Sequence, residues 1–129
     1  MTKRGILSLV ILFLIIAIYT PIRILSYPAP VGHITAMTLA VEHRNYTGAC
    51  PVTVRFDGSI TMDGPGNMVY NVIRSDGGHL AKGKPVHFNA AGTHSVVETW
   101  QIGKSYKGWL QLASGNIRTE KAEFSVTCR

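Results

Sequence analysis

Short runs in which apolar and polar residues alternate dominate the chain after about residue 33, and Gly, Pro, Asn and Asp separate these runs. A period of two is typical of β-strands with one buried face. The last run is the clearest, because Ala122, Phe124, Val126 and Cys128 share one parity and the residues between them are polar. No run has a convincing helical period. The pattern therefore predicts an all-β domain over residues 34–129.

About seven strands are predicted from these runs. Their bounds are Ile34–Glu42, Cys50–Asp57 (which Ile60 and Met62 are able to extend), Met68–Ser75, Leu80–Asn89, Thr93–Ile102, Gly108–Ala113 and Ile117–Cys128. The fourth is the weakest, because Gly83 and Pro85 interrupt it. Asp76-Gly77-Gly78 predicts a hairpin turn, since glycine adopts positive φ readily. This spacing favours an immunoglobulin-like antiparallel β-sandwich, with a small closed barrel as the alternative.

Residues 1–26 have a different pattern, which predicts an N-terminal hydrophobic helix. Lys3 and Arg4 precede an uncharged apolar run, Ile6–Tyr19. This order of charge and hydrophobicity is typical of a secretory signal. It predicts that the C-terminal domain is exported to the periplasm or the cell surface, whether or not the leader is removed.

Two fates of this leader are compatible with the sequence. It is a signal peptide if it is cleaved near Ser26 or Ala29. It is a membrane anchor over residues 5–26 if it stays uncleaved and Arg23 reaches the far interface. Residues 27–33 contain Pro28 and Pro30 and predict a short, stiff linker before the domain.

The two cysteines, Cys50 and Cys128, predict one disulfide, because an even number in an oxidising compartment favours pairing. Both lie on the apolar parity of their strands. Cys50 opens one strand and Cys128 closes another, so antiparallel neighbours would bring both to one pole. The alternative is two buried free thiols. Zinc is not favoured, because no second Cys or His lies at ligand spacing.

A resemblance to a family supports the same fold. The chain from about residue 46 to 128 is similar to small exported bacterial immunoglobulin-like modules. The residues that carry this similarity are Gly48-Ala49-Cys50-Pro51, Phe56, Gly58, Ile60, Gly64-Pro65-Gly66, Tyr70, Arg74-Ser75-Asp76-Gly77, Gly92-Thr93, Trp100, Gly108-Trp109, Ala122, Phe124, Val126 and Cys128. The resemblance implies a fold and carries no established activity. The chain departs from antibody domains because its second cysteine ends the last strand.

Composition and charge narrow the class of protein further. Apolar residues make up 46% of the chain and charged residues 16%, which excludes disorder. The net charge is +6, and Lys3, Arg4 and Arg23 of the leader contribute three of these charges. The remaining excess is small and forms no Lys/Arg run, so no nucleic-acid partner is predicted.

Candidate chemistry is sparse. No nucleophile motif or carboxylate pair indicates catalysis, so we predict a non-enzymatic protein without a cofactor. His79, His87 and His94 lie within sixteen residues and would form a metal site only if their strands are neighbours. Glu98 shares the parity of Trp100, so a carboxylate lies on the face of this strand that should point inward. We interpret that face as partly solvated.

One group of residues suggests recognition. Lys104, Tyr106, Lys107 and Trp109 combine two aromatic rings with two cations, which could stack a sugar or bind a peptide. The alternative is that Trp109 packs under an edge loop. We therefore predict an exported binding or structural module, with an unknown protein or glycan as partner at the cell envelope. The alternative functions are a small periplasmic metal-binding protein and an enzyme inhibitor on the same fold.

Overall fold

A computed structural model describes residues 30–78 and 82–129. This part of the chain contains nine strands and confirms the all-β prediction. In chain order they are β1 (Ile34–Val41), β2 (Asn45–Gly48), β3 (Val52–Met62), β4 (Gly66–Arg74), β5 (Lys84–Phe88), β6 (Gly92–Ile102), β7 (Tyr106–Ser114), β8 (Ile117–Arg118) and β9 (Ala122–Cys128).

The strands form two sheets packed face to face, as in an immunoglobulin-like sandwich. The first sheet has the order β1-β3-β6. The second has the order β2-β9-β7-β4-β5, and the two-residue β8 pairs with β7. The sandwich is thus confirmed, and the closed barrel that was the alternative is wrong.

Three details differ from the predicted strands. The short β2 was not predicted, and it pairs parallel with β9, whereas the prediction was wholly antiparallel. The last predicted strand is divided into β8 and β9, because buried Thr119 lies between them and its hydroxyl accepts a hydrogen bond from the Leu112 N–H at 3.0 Å. Gly77 has the expected positive φ of 80°, but residues 75–83 separate β4 from β5, so the turn does not close a tight hairpin.

The core lies between the sheets and follows the alternation in the sequence. The buried residues of β3, β6 and β9 all lie at alternate positions of their strands. The largest fully buried side chains are Phe56, Phe88, Ile60, Leu110 and Leu112. Each contributes about 1.5–3 kcal/mol to folding by leaving water. Most of the fold's stability therefore resides in this layer.

The disulfide between Cys50 and Cys128 is present, with a Cα–Cα distance of 5.5 Å. Its strands are not the antiparallel neighbours that were expected. Cys50 lies on the crossover from β2 in one sheet to β3 in the other, and Cys128 ends β9. The bond therefore joins the crossover between the sheets to the end of the last strand. We call this end of the sandwich the disulfide pole.

The described chain begins at the opposite end, which we call the turn pole. The Gly32 N–H donates to the Pro65 carbonyl at 2.8 Å, and a Cβ on Gly32 would lie 2.1 Å from the Gly64 carbonyl oxygen. Only glycine fits this contact. The eleven-residue β3 separates the poles by about 35 Å.

The predicted hydrophobic helix over 1–26 and most of the 27–33 linker lie outside the described residues. Among the residues that the structure does describe, there is no helix with the length and hydrophobicity to span a membrane.

Candidate functional site: an aromatic and cationic depression on the outer face

The structure divides the four residues of the predicted patch between two surfaces. Lys107 and Trp109 lie together on the outer face of the second sheet, where they line one open depression. Lys104 and Tyr106 line a different groove, on the other side of β7 at the disulfide pole. The division arises because β7 begins at Tyr106, so alternation directs 106 inward and 107 and 109 outward.

The depression around Trp109 has a volume of about 420 Å³ and is open to solvent. We call it the Trp109 patch. Its lining residues are Arg44, Asn45, Lys107, Gly108, Trp109, Glu123, Phe124 and Ser125. Three adjacent strands supply it: β2 supplies Asn45, β7 supplies Lys107 and Trp109, and β9 supplies Glu123.

Backbone pairing sets the positions of these side chains. Trp109 lies opposite Glu123, and Lys107 lies opposite Ser125 in the β7–β9 register. The Ser125 N–H donates to the Arg44 carbonyl at 2.8 Å, which fixes Arg44 beside the same strand. The patch is therefore built on a regular sheet rather than on a long loop.

The electrostatic character of this face is positive. Lys121 Nζ lies 4.3 Å from the centre of the Trp109 ring, a cation–π contact. Arg44 and Lys107 line the same depression, in which Glu123 is the one acid. Such a surface favours an anionic ligand that also presents an apolar face to the indole.

The second tryptophan, Trp100, occupies a contrasting environment in the core. It is 6% exposed and packs edge-on against Tyr106 and Phe124, with ring centres 5.5 and 5.3 Å away. The guanidinium of Arg74 lies 4.2 Å from the centre of its ring. Arg74 also forms an ion pair with Asp76. We call these residues the Trp100 cluster.

The segment Arg74-Ser75-Asp76-Gly77 does more than turn the chain. The hydrogen bond from Arg74 lowers the pKa of the Asp76 carboxyl. Ser75 Oγ lies 2.7 Å from the Tyr106 hydroxyl and accepts a hydrogen bond from the backbone N–H of Trp109 at 3.0 Å. This segment therefore connects the Trp100 cluster to the backbone beneath the Trp109 patch.

A polar triad, of which Glu98 and Tyr70 are buried, crosses the sandwich at β6. Glu98 is 7% exposed, accepts a hydrogen bond from the Tyr70 hydroxyl at 2.9 Å and is contacted by Lys84 Nζ at 2.7 Å. Burial, together with this carboxylate, raises the pKa of Tyr70. Glu98 was interpreted as a sign of a partly solvated face; the carboxylate itself is buried, and Lys84, which pairs with it, has a side chain that is 40% exposed. Lys84 shares its parity with Val86 and Phe88, a signal that the sequence did contain.

The three histidines of the possible metal site are not assembled by the described residues. Asn67 and Asn89 contact the two ring nitrogens of His87 at 2.5 and 2.9 Å. The His94 ring instead packs on Phe88, 4.3 Å between centres. His79 lies outside the described residues. Within 30–78 and 82–129, no three His, Cys, Asp or Glu residues are grouped as metal ligands.

Comparison with known proteins identifies the fold and not the family. No protein-family model matches the sequence, and no curated protein is significantly similar to it. Among solved structures, the chain resembles the CARDB domain of a Pyrococcus furiosus protein that was crystallised with two metal ions. The TM-score is 0.61 at 8% identity, and the match covers 80% of this chain and 100% of that domain.

A second similar structure is a β-glucosidase from Listeria innocua in complex with glucose. Its TM-score is 0.55 at 9% identity, and the match covers 84% of this chain but 20% of the glucosidase. The similar region is therefore a small part of that enzyme. The class that fold and comparisons define is an immunoglobulin-like β-sandwich.

Proposed function

We propose that the protein is an exported, non-enzymatic recognition module that binds an acidic glycan at the cell envelope through the Trp109 patch. The observation that carries this proposal is an indole on a regular sheet face, with Lys121 over its ring and with Arg44, Lys107 and one acid in the same depression. An open, shallow surface fits an extended polymer, whereas catalysis requires groups that converge on one reacting atom.

The class of ligand follows from the side chains present. Stacking on the indole suits the apolar face of a sugar ring, and Asn45, Glu123 and Ser125 supply hydrogen-bonding groups around it. Arg44 and Lys107 favour a carboxylate or sulfate on that sugar. A neutral sugar would leave these cations unused.

Export is supported by two independent features. The apolar leader follows two basic residues, as in secretory signals. The Cys50–Cys128 bond is of the kind that persists in oxidising compartments.

The direction in which the chain enters the domain supports a role at the envelope. The linker reaches the sandwich at the turn pole, beside Gly64 and Pro65. Lys107 and Ser125 lie towards the disulfide pole, since β7 begins there and β9 ends there. If the leader remains as an anchor, that part of the patch therefore lies towards the end of the sandwich far from the membrane.

The test is a titration of the full-length chain, solubilised in mild detergent, with three probes: oligogalacturonate, a neutral maltooligosaccharide and a glutamate-rich peptide. We expect saturable binding of oligogalacturonate alone, weakened by salt. Lys107→Ala should weaken the binding of oligogalacturonate at least about fivefold, because the ligand's carboxylates lose a charged contact in the Trp109 patch. Lys104→Ala is the matched control, as an exposed lysine of the neighbouring groove, and should leave binding unchanged.

Two results would contradict the proposal. Equal binding of the neutral sugar would remove the role of the cations. Tighter binding of the acidic peptide would assign the patch to a protein partner instead of a glycan.

A further inference from the structure

The strand β6 forms a long, unprotected edge of the first sheet. It pairs with β3 over Gly92–Ile102 without interruption, from Val52↔Ile102 to Met62↔Gly92. On its other side, no strand among the described residues pairs with it. Alternate residues of an antiparallel strand direct their N–H and C=O groups away from the neighbour, so about five residues of β6 present unpaired backbone groups along this edge.

The other sheet edges in the described structure are protected. The pairing of β1 shifts register between Ile34 and Ala36. The β5 edge is five residues long and contains Pro85, and β2 is four residues long. Bulges, prolines and short lengths are the usual devices against edge-to-edge association. β6 has none of these, so its exposure is a specific property of that strand.

The outward residues of β6 are compatible with a second copy of the same strand. They are all exposed and uncharged: Thr93, Ser95, Val97, Thr99 and Gln101. Their order is close to symmetric about Val97, which is 49% exposed. An antiparallel pair centred on Val97 would place it opposite its own copy and Ser95 opposite Thr99, and such valine and hydroxyl pairs stabilise sheets.

The inward charge on the strand favours the same register. Glu98 is the one charged residue of β6, and it is already paired with Lys84. In a pair centred on Val97 it faces Val96 of the other copy. Moving the centre to residue 98 would place two Glu98 carboxylates opposite each other, which is destabilising.

We propose that two copies of the protein associate through their β6 edges, antiparallel and about a two-fold axis at Val97, and form a continuous six-stranded sheet. The contact is isologous and therefore closes as a dimer. It lies on the first sheet and leaves the Trp109 patch of each copy on the second sheet free. The proposal is independent of the proposed ligand.

Cysteine cross-linking tests both the contact and its register. Full-length Val97→Cys is expressed in exporting cells and examined on a non-reducing gel. The two Cβ atoms of residue 97 are expected about 5 Å apart, so a disulfide dimer of twice the mass should form. Ser95→Cys is the matched control on the same face, because its copies would lie about 13 Å apart, four residues along the strand.

A dimer of Val97→Cys with monomeric Ser95→Cys supports the proposal. Absence of the Val97→Cys dimer, or equal cross-linking of both variants, overturns it.

A charge substitution gives a second test that does not depend on oxidation. Val97→Lys places two like charges at the axis and should weaken dimerisation in light scattering at least about tenfold. Val69→Lys is the matched control, because Val69 is also 49% exposed on a strand face but lies on β4 in the other sheet. Equal effects of the two substitutions, or a wild-type protein that is monomeric and pairs with an unrelated extended peptide, would contradict the proposal.

Discussion

The two tryptophans of this protein show how the same pair of groups, an indole and a cation, serves different purposes in two regions. Trp100 lies in the core with Arg74 over its ring, and Trp109 lies on the outer face with Lys121 over its ring. Trp100 also contacts Tyr106 and Phe124, so its ring is covered by aromatic neighbours. Trp109 instead borders an open depression.

This difference separates a structural role from the proposed recognition role. The Arg74 guanidinium is held by Asp76 and closes one end of the core, where it contributes to folding. Lys121 covers Trp109 from the solvent side, where a ligand can displace it at little cost. The two rings belong to different sheets: Trp100 of β6 faces the core from the first sheet, and Trp109 of β7 lies on the outer face of the second. The predictions below test this division, beginning with the largest expected effect.

Trp100→Ala should destabilise the fold by about 3–5 kcal/mol, because it leaves a large cavity in the core. Trp109→Ala should cost less than about 1 kcal/mol, as a substitution on a solvent-facing surface. Urea unfolding followed by circular dichroism, with the disulfide intact, measures both. Similar losses in the two variants would mean that Trp109 is a core residue.

Replacement of both Cys50 and Cys128 by alanine should cost about 2–4 kcal/mol, because the bond closes a long loop in the unfolded chain. The Trp109 patch should persist at temperatures where the variant stays folded, because strands β7 and β9 hold it. Oligogalacturonate binding at low temperature checks this. Loss of binding in the folded variant would show that the patch depends on the disulfide.

The free energy of unfolding should fall as the pH rises above about 10, at about 1.4 kcal/mol per pH unit. Tyr70 has a raised pKa in the folded protein, so it stays protonated there while the unfolded chain loses that proton. Tyr70→Phe should flatten this dependence, and Tyr106→Phe is the control that should retain it. An unchanged slope in Tyr70→Phe would contradict the role of the polar triad.

The smallest effects concern the two cations. Arg74→Met should cost about 1 kcal/mol, because it loses a partly buried cation–π contact and the Asp76 pair. Lys121→Met should cost less than about 0.5 kcal/mol, since its contact is exposed. Paired urea titrations measure the difference. Equal costs would indicate that the two rings are in similar environments.

Residues whose structure depends on alternation alone were predictable from the sequence. The strands β3 and β9 follow the parity of their apolar residues. The disulfide was predicted from the even number of cysteines, but the antiparallel neighbours expected for them were wrong. The short β2 was missed because Asn45–Gly48 has no apolar alternation. Its structure depends on pairing with β9, a contact distant in sequence.

The candidate site was predictable only in part, for a similar reason. Of the four residues predicted as a patch, Lys107 and Trp109 share a parity and lie together, whereas Tyr106 has the opposite parity and lies in the other groove. Arg44, Asn45 and Glu123 could not be assigned, because the register of three strands brings them together. Glu98 pairs with Lys84 of the opposite sheet. The sequence pattern shows the parity of each residue but does not show that the two meet.

The most direct test of the division between core and surface is a paired measurement on full-length Trp109→Ala: its free energy of unfolding and its affinity for oligogalacturonate. The proposed role of the Trp109 patch predicts a loss of stability below about 1 kcal/mol together with a loss of detectable binding. Retention of wild-type affinity, or a destabilisation of several kcal/mol, would contradict it.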